Sequence, residues 1–541
     1  MSLILLLGGY GGFGGRIARR LASAGHEVLV AGRSIDKARA FCTNTPGLIP
    51  LAVDRNNIGA VLDEHRPAIL VDASGPFQAM DYAVPKACIA AGVHYLDIAD
   101  GREFVCGIGA LNEAAKASGV VLLSGASSVP ALSGAAVRHL AHGMDRIRAV
   151  EMAISASNRA TAGPSVAAAI LGQVGMPMKI WRGQRWTRAF GWQEMESVRF
   201  ECAGTDPISD RLVAMVDVPD LELLPKRLRG CSAVTFRAGT ELGFQNRLLW
   251  LASWAVRSGI VRTLTPLARW LQPVQSLVQF LGTDRSAMIV RLFGEAGGRK
   301  VERRWTLIAD RGDGPEIPTL SVEPIVARIL GGIEPVGARD AGEALALVDY
   351  SQAFGELAIR HETRQLPAPA TLYERVMGSR YAELPREVRS IHDVQGDGGA
   401  TGRAQVTGAS NWVGTLVARV MGFPDVGDHQ LHVRFQEAHG CESWTRDFGA
   451  RRFRSHLSQK GSWLVERFGP FRFAFDLPSD ENGLTMIMQG WWIGAIPLPK
   501  WMAPRSTARE WAQDGRFHFD VPIELPFVGR IVHYRGWLEA A

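Results

Sequence analysis

At 541 residues, 47% hydrophobic and 21% charged, the chain is too long for one ordinary domain and too apolar for a disordered one, so about three domains are expected. The net charge of +6 is small for this length, and only eight of the 60 basic residues are lysine, which suits a base-composition bias better than a polyanion-binding surface. Six cysteines lie far apart with no C-x-x-C pair, which argues against a zinc knuckle or disulfide framework and for reduced thiols in the cytoplasm.

Residues 3–124 read as short apolar strands alternating with helices. Leu3–Leu7 is a strand whose apolar run ends at glycine, without the basic leader of a signal peptide. A helix over 14–24 follows, with Phe13, Ile17 and Leu21 on one face. Strands are expected at 27–31, 48–53, 68–72, in "HYLDIA" and at 120–124, with helices at 35–41, 58–65 and 82–91 between them. This alternation predicts a Rossmann-type, doubly wound parallel sheet over residues 1–135.

Beyond residue 145 the strands lengthen, and "SAMIVRLFGEAGGRKVERRWTLIAD" reads as a hairpin around Gly297 and Gly298. An α+β substrate or dimerisation domain with a mainly antiparallel sheet is expected over 136–362, with a return of the chain to the Rossmann sheet near 340–360. Residues 247–282 are apolar and tryptophan-rich, but Arg257, Arg262, Arg269, Pro266 and Pro273 interrupt them. They suit amphipathic helices on a sheet; the alternative is a peripheral membrane or lipid contact. Residues 363–370 form the best linker candidate, and 371–541 read as a β-rich third domain. Its strands mix Trp, Phe and Met with polar residues, as either a sandwich core or a curved sheet around an apolar cavity would.

Chemistry concentrates at the N-terminus. Gly9-Tyr10-Gly11-Gly12-Phe13-Gly14 fits G-x-G-x-x-G, directly after a strand and at the start of a helix. Gly9 permits the turn, Gly11 lets the backbone approach a pyrophosphate, and Gly14 lets the helix pack close to the strand. The second strand ends in Arg33 and Ser34, with Lys37 one turn on, where an NAD-preferring site carries an acid. That pattern favours NADP(H) over NAD(H), because a guanidinium suits a 2′-phosphate. Ser74 and Gly75 follow the fourth strand, at the nicotinamide side of the sheet edge. Tyr95, Asp97 and Asp100 are the clustered ionisable groups nearest to that position, and Tyr95 or Asp97 is the candidate for a proton donor.

These segments together, with "VDASGPF", "ACIAAGVHYLDIADG" and "SGASSVPALSG", resemble the saccharopine dehydrogenase-like family, in its short saccharopine-reductase-type branch. The resemblance covers about residues 1–350. It implies a pyridine-nucleotide oxidoreductase with a substrate domain that often mediates dimerisation. It also implies Gly9, Gly11, Gly12, Phe13 and Gly14 on pyrophosphate, Arg33 and Ser34 on a 2′-phosphate, and Ser74 and Gly75 beside the nicotinamide. The expected cationic clamp for an amino-acid substrate is missing; Trp181, Trp186, Trp192, Trp250, Trp254 and Trp270 stand in that region instead. A larger, apolar substrate with a C=N, C=C or C=O bond is therefore expected. "LYERVMG", "ERFGPF" and "DGRFHFDVPIELPFVGRIVHYRGWLE" resemble a domain of unknown function fused behind such reductases.

Other patterns carry little. His139 with His142, and His429 with His432, have no third metal ligand in view, so no metal is expected. "ARRFRS" is a basic cluster without a groove-reading fold, so no nucleic acid is expected either. The alternative to a reductase is a lipid- or isoprenoid-binding protein in which the nucleotide is a structural or sensing ligand.

Overall fold

The computed structural model describes residues 2–159, 164–267, 278–438 and 440–540, with the side chains of 164–166 left aside. The N-terminal unit comprises β1 (Leu3–Leu7), α1 (Gly12–Ser23), β2 (Glu27–Gly32), α2 (Ile35–Cys42), β3 (Leu48–Ala52), β4 (Ile69–Asp72), β5 (His94–Asp97) and β6 (Val121–Ser124). The strands are parallel in the order β6-β5-β4-β1-β2-β3. A seventh strand, Gly337–Asp340, pairs in parallel with the outer edge of β6. The chain thus returns to this sheet after the second domain.

The apolar run of β1 is continuous because both faces of the sheet are covered. Ile4 and Leu6 pack into a core with Ile17 and Leu21 of α1, while Leu5 and Leu7 enter a second core with Leu62 and Val84. Each such side chain contributes about 1.5–3 kcal/mol when fully buried. Helix α1 stops before Gly25, whose φ of +87° turns the chain back towards β2.

The second domain is a mixed sheet in the order Glu196–Phe200, Ile208–Met215, Ala233–Thr240, Arg146–Ala156, Ser286–Ala296, Arg299–Ala309, Ile359–Pro367. Neighbours on this path are antiparallel except Ala233–Thr240 with Arg146–Ala156. Residues 363–367, read above as the start of a linker, are instead the last part of the edge strand. They pair with Arg299–Ala309 through Val301 opposite Pro367. The polar composition that suggested a linker belongs to an edge strand that faces water.

The tail begins with the helices Leu372–Met377, Arg380–Glu383 and Arg386–His392. Ten antiparallel strands follow, from Asp397–Thr407 to Gly529–Ala540, two short strands apart. The first and last pair with each other, Ala400 opposite Ala540, and Phe471–Asp476 pairs with Gly483–Ile493, so the described strands close into a barrel. The barrel meets the mixed sheet at the fully buried Arg182, whose guanidinium is held by Glu194 at 2.9 Å and by Asp397. Arg148 and Lys300 both reach Asp393 at 2.8 Å beside it.

Candidate nucleotide site

The carboxyl ends of the parallel strands gather the residues singled out above. Gly8 has φ +73° and donates from its amide to Ala31 O at 2.8 Å, which fixes the turn to the end of β2. A Cβ on Gly14 would stand 2.1 Å from Gly8 O, so the first turn of α1 rests on the glycine loop itself. Gly11 is different. It is exposed, and a Cβ there would meet only Gly8 O at 3.1 Å. The space above Gly11 is open on the solvent side, as close approach of a ligand requires. Helix α1 starts at Gly12 with no acidic residue in its first turn. The amides of Gly12, Phe13 and Gly14 have no carbonyl within the helix to bond, and the helix dipole favours an anion there.

At the end of β2, the ring of Tyr10 lies where a Cβ on Gly32 would stand, 2.4 Å from the nearest ring atom. Its hydroxyl accepts a hydrogen bond from the Ser34 amide at 3.0 Å. The Ser34 hydroxyl oxygen in turn accepts from the Lys37 amide at 3.4 Å and so caps α2. Arg33 and Lys37 are exposed, and among the described residues the Arg33 guanidinium has no hydrogen-bond or ion-pair partner. Asp36 is the one acid between them.

The loop after β4 abuts the glycine turn, for a Cβ on Gly8 would meet Ala73 O at 2.7 Å and Ser74 Cα at 3.0 Å. Ser74 is tied down rather than free. Its hydroxyl donates to Asp72 Oδ1 at 2.5 Å and accepts from Arg55 Nη1 at 2.7 Å, while Arg55 Nη1 also bonds Asp72 Oδ2 at 2.8 Å. Asp72 is fully buried. Arg55, on the turn after β3, was not foreseen from the sequence, and its Nη2 is buried with no partner among the described residues. Gly75 is half-buried against the ring of Phe77.

Tyr95 and Asp97 occupy β5 two residues apart, and both are 0% exposed. Tyr95 lies in the core with Leu5 and Leu7, and burial raises its pKa well above the ordinary value. A hydroxyl so placed does not reach the sheet edge. Asp97 Oδ1 accepts from the Ala99 amide at 2.9 Å, the Gly125 amide at 2.7 Å and the Ser124 hydroxyl at 3.0 Å. It ties the loops after β5 and β6 together, and its Oδ2 has no partner among the described residues. Burial pushes its pKa up to about 7 against those hydrogen bonds. Asp100, by contrast, is exposed and accepts from Gln78 Nε2 at 3.0 Å.

Two residues beyond Asp100, Arg102 crosses to the second domain, bonding Asp217 at 2.9 Å, Glu222 at 3.2 Å and the carbonyl of Lys179 at 2.7 Å. The tryptophans of the middle region do not form one lining. Trp192 is buried in the core, Trp181 and Trp186 meet edge-on within a hairpin, and Trp254 is 47% exposed. Trp270 lies outside the described residues.

The family model described as the saccharopine dehydrogenase NADP binding domain matches residues 4–123, and that of a domain of unknown function, DUF4166, matches 384–538. Among solved structures, saccharopine dehydrogenase (L-Glu forming) from Saccharomyces cerevisiae is 12% identical at TM-score 0.47, covering 68% of this chain and 100% of that one. Homospermidine synthase from Legionella pneumophila, in complex with NAD, is 13% identical at TM-score 0.40, covering 67% and 91%. The amine dehydrogenase of Mycobacterium smegmatis is 14% identical at TM-score 0.32, covering 64% and 95%. No curated protein matches the sequence.

Proposed function

We propose that this chain, an NAD(P)-dependent oxidoreductase built on the saccharopine dehydrogenase NADP-binding domain, uses NADP(H) in preference to NAD(H) and acts on a C=N, C=C or C=O bond. The observation that carries the cofactor preference is Arg33, exposed and unpaired among the described residues directly after β2, at the position where an NAD-preferring site carries an acid; Asp36 stands three residues on, in the first turn of α2. The residues there fit a dinucleotide. Gly11 leaves the backbone open to a pyrophosphate, and the first amides of α1 point free donors at it. Arg33 and Lys37 would hold a 2′-phosphate, while Ser34 caps α2 and keeps Arg33 at the strand end. The nicotinamide, when bound, supplies the hydride chemistry.

The chain's own contribution is to bind, orient and protonate. The Arg55–Asp72–Ser74 cluster fixes the loop against which the glycine turn rests, so Ser74 acts by holding that loop. Asp97 positions the loops after β5 and β6. The proton-donor role, assigned above to Tyr95 or Asp97, passes in our reading to Asp100, the exposed carboxyl of the same loop. Titrating the protein with NADPH and NADH, then following NADPH oxidation with a panel of imines, enones and ketones, tests the assignment. Failure of every acceptor alongside tight NADPH binding would favour a sensing role for the nucleotide instead.

A second surface has a specific observation behind it. Helix Gly243–Arg257 exposes Phe244, Leu248, Leu251 and Trp254, with Arg247 and Arg257 beside them. We propose peripheral contact with an anionic membrane through this part of 247–282. Residues 268–277 lie outside the described residues. No described helix is long and apolar enough to cross a membrane.

A further inference from the structure

The barrel encloses a cavity of about 240 Å³ whose lining is drawn wholly from residues 373–538. No residue of the nucleotide-binding sheet contributes to it. The wall is apolar and soft, with Phe423, Phe453, Met486, Met488, Trp491 and Phe519 among its side chains. Methionine and phenylalanine walls adapt to chains of varied shape.

Barrel topology sorts the two ends. Successive strands run in opposite directions, so the turns at 461–462, 477–482 and 514–515 share one end. That end is plugged by the helices over 372–392 and sits on the mixed sheet through Asp393 and Asp397. The segments 408–426, 448–451, 469–470, 494–506 and 526–528 share the other end. Large apolar side chains stand in solvent there: Trp412 (77%), Leu416, Val420, Ile496, Trp501 and Phe527 (95%). Helix Trp412–Val420 borders this end; Val417 and, just beyond the helix, Met421 line the cavity, while its exposed residues face outward. An apolar rim around the loop end of a hollow barrel is the surface an apolar molecule crosses on the way in.

The charges inside the cavity are already matched. Arg446 donates to the Ser455 hydroxyl at 2.9 Å and lies 3.6 Å from Glu466. Glu510 is hydrogen-bonded at 2.6 Å to the fully buried His392. Tyr534, 7% exposed, lines the same space, and its hydroxyl has no hydrogen-bond partner among the described residues. A carboxylate entering here would have to displace Glu466 or remain a second, unmatched buried anion, which is costly. A hydroxyl or carbonyl would need only the free donor of Tyr534 or the edge of the Arg446–Glu466 pair.

We infer that the barrel is a binding chamber for a neutral single-chain amphiphile, of the class of long-chain alcohols, aldehydes or esters. The alkyl chain lies against the Phe and Met wall, and the polar end meets Tyr534 and Arg446. The volume is sufficient, since a dry apolar cavity of about 150 Å³ already binds benzene. This reading stands apart from the reductase assignment, because the two sites share no residue.

The test uses the full chain and the fluorescent probe N-phenyl-1-naphthylamine, displaced by dodecanol or by dodecanoate at neutral pH. Dodecanol is expected to compete at least about tenfold more tightly than dodecanoate, the worth of one charge mismatch. Glu466→Gln frees Arg446 and is expected to narrow that ratio by about tenfold. Met488→Trp fills the chamber and is expected to abolish displacement while NADPH binding persists. Equal or inverted competition in the native protein, or a ratio unchanged in Glu466→Gln, would overturn the proposal. So would a folded Met488→Trp variant that still releases the probe to dodecanol.

Discussion

Gly11 and Gly14 stand three residues apart in one motif, yet their surroundings predict opposite failures on substitution with alanine. In Gly14→Ala the new Cβ would stand 2.1 Å from Gly8 O, and that oxygen is backbone, not the end of a flexible side chain. Relief requires α1 to move away from the turn by about 1 Å, and overpacking of this kind costs about 1–3 kcal/mol. At roughly 2–4 °C per kcal/mol for a domain of this size, the melting temperature should fall by several degrees. Cofactor affinity should fall with it, because the first-turn amides move together with the helix. In Gly11→Ala the nearest atom is 3.1 Å away and the position faces solvent, so stability should change by less than about 0.5 kcal/mol. The methyl group nevertheless fills the space a pyrophosphate needs, so NADPH affinity should drop by about tenfold or more. Calorimetric melting and NADPH titration of both variants separate the two effects. A Gly14→Ala protein with native melting temperature and affinity would refute the packing argument. A Gly11→Ala protein that binds NADPH normally would refute the assignment of that space to the cofactor.

Other predictions follow from the same geometry. Asp97 holds its proton in the folded state up to about pH 7, whereas its ordinary value is 3.8. The folded chain therefore binds more protons than the unfolded one between these limits, and stability should fall as pH rises through that window, by at most about 1.4 kcal/mol per pH unit. Denaturant melts of Asp97→Asn should show a flatter profile between pH 4 and 7; an unchanged slope would contradict the buried-acid account. Arg182→Ala leaves Glu194 and Asp397 without their buried cation and should destabilise the junction of sheet and barrel by about 3–5 kcal/mol. An urea melt read by tryptophan fluorescence would show it, and a loss below about 1 kcal/mol would mean the pair is dispensable. Once an acceptor is found, Asp100→Asn should lower kcat without weakening NADPH binding, and an unaltered kcat would remove Asp100 from the reaction. Anionic liposomes should co-sediment the native protein, and Leu248→Glu with Leu251→Glu should release it. Co-sedimentation that survives both changes would eliminate this helix as the contact.

The N-terminal motif was legible because its determinants are local. The apolar run of β1, the glycines and the amphipathic α1 occupy 21 consecutive residues, and each specifies its own conformation. Arg33 was legible for the same reason, one residue past β2. Tyr95 was not. Alternation along β5 puts Tyr95 and Asp97 on the same side of the strand, but a parallel sheet buries both faces, so neither side announces its exposure. Arg55 was missed because its partners, Asp72 at the end of β4 and Ser74 in the loop after it, stand in a different strand unit. A basic residue just after the third strand, with a buried Asp closing the fourth, is the signal that could have found it. Sandwich and hollow barrel remained open in the sequence because closure rests on the pairing of the first barrel strand with the last, Ala400 to Thr407 against Ala540 to His533, and on that of Phe471–Asp476 with Gly483–Ile493. Local strand patterns are the same either way.

The affinity of the native protein for NADPH and for NADH, measured side by side with Arg33→Asp, tests the central claim most directly. Charge-assisted hydrogen bonds to a 2′-phosphate contribute about 1.5–3 kcal/mol, so NADPH should bind about ten- to a hundredfold more tightly than NADH. Arg33→Asp should erase or invert that preference. Equal affinity for both nucleotides in the native protein, or a preference untouched by Arg33→Asp, would contradict the assignment.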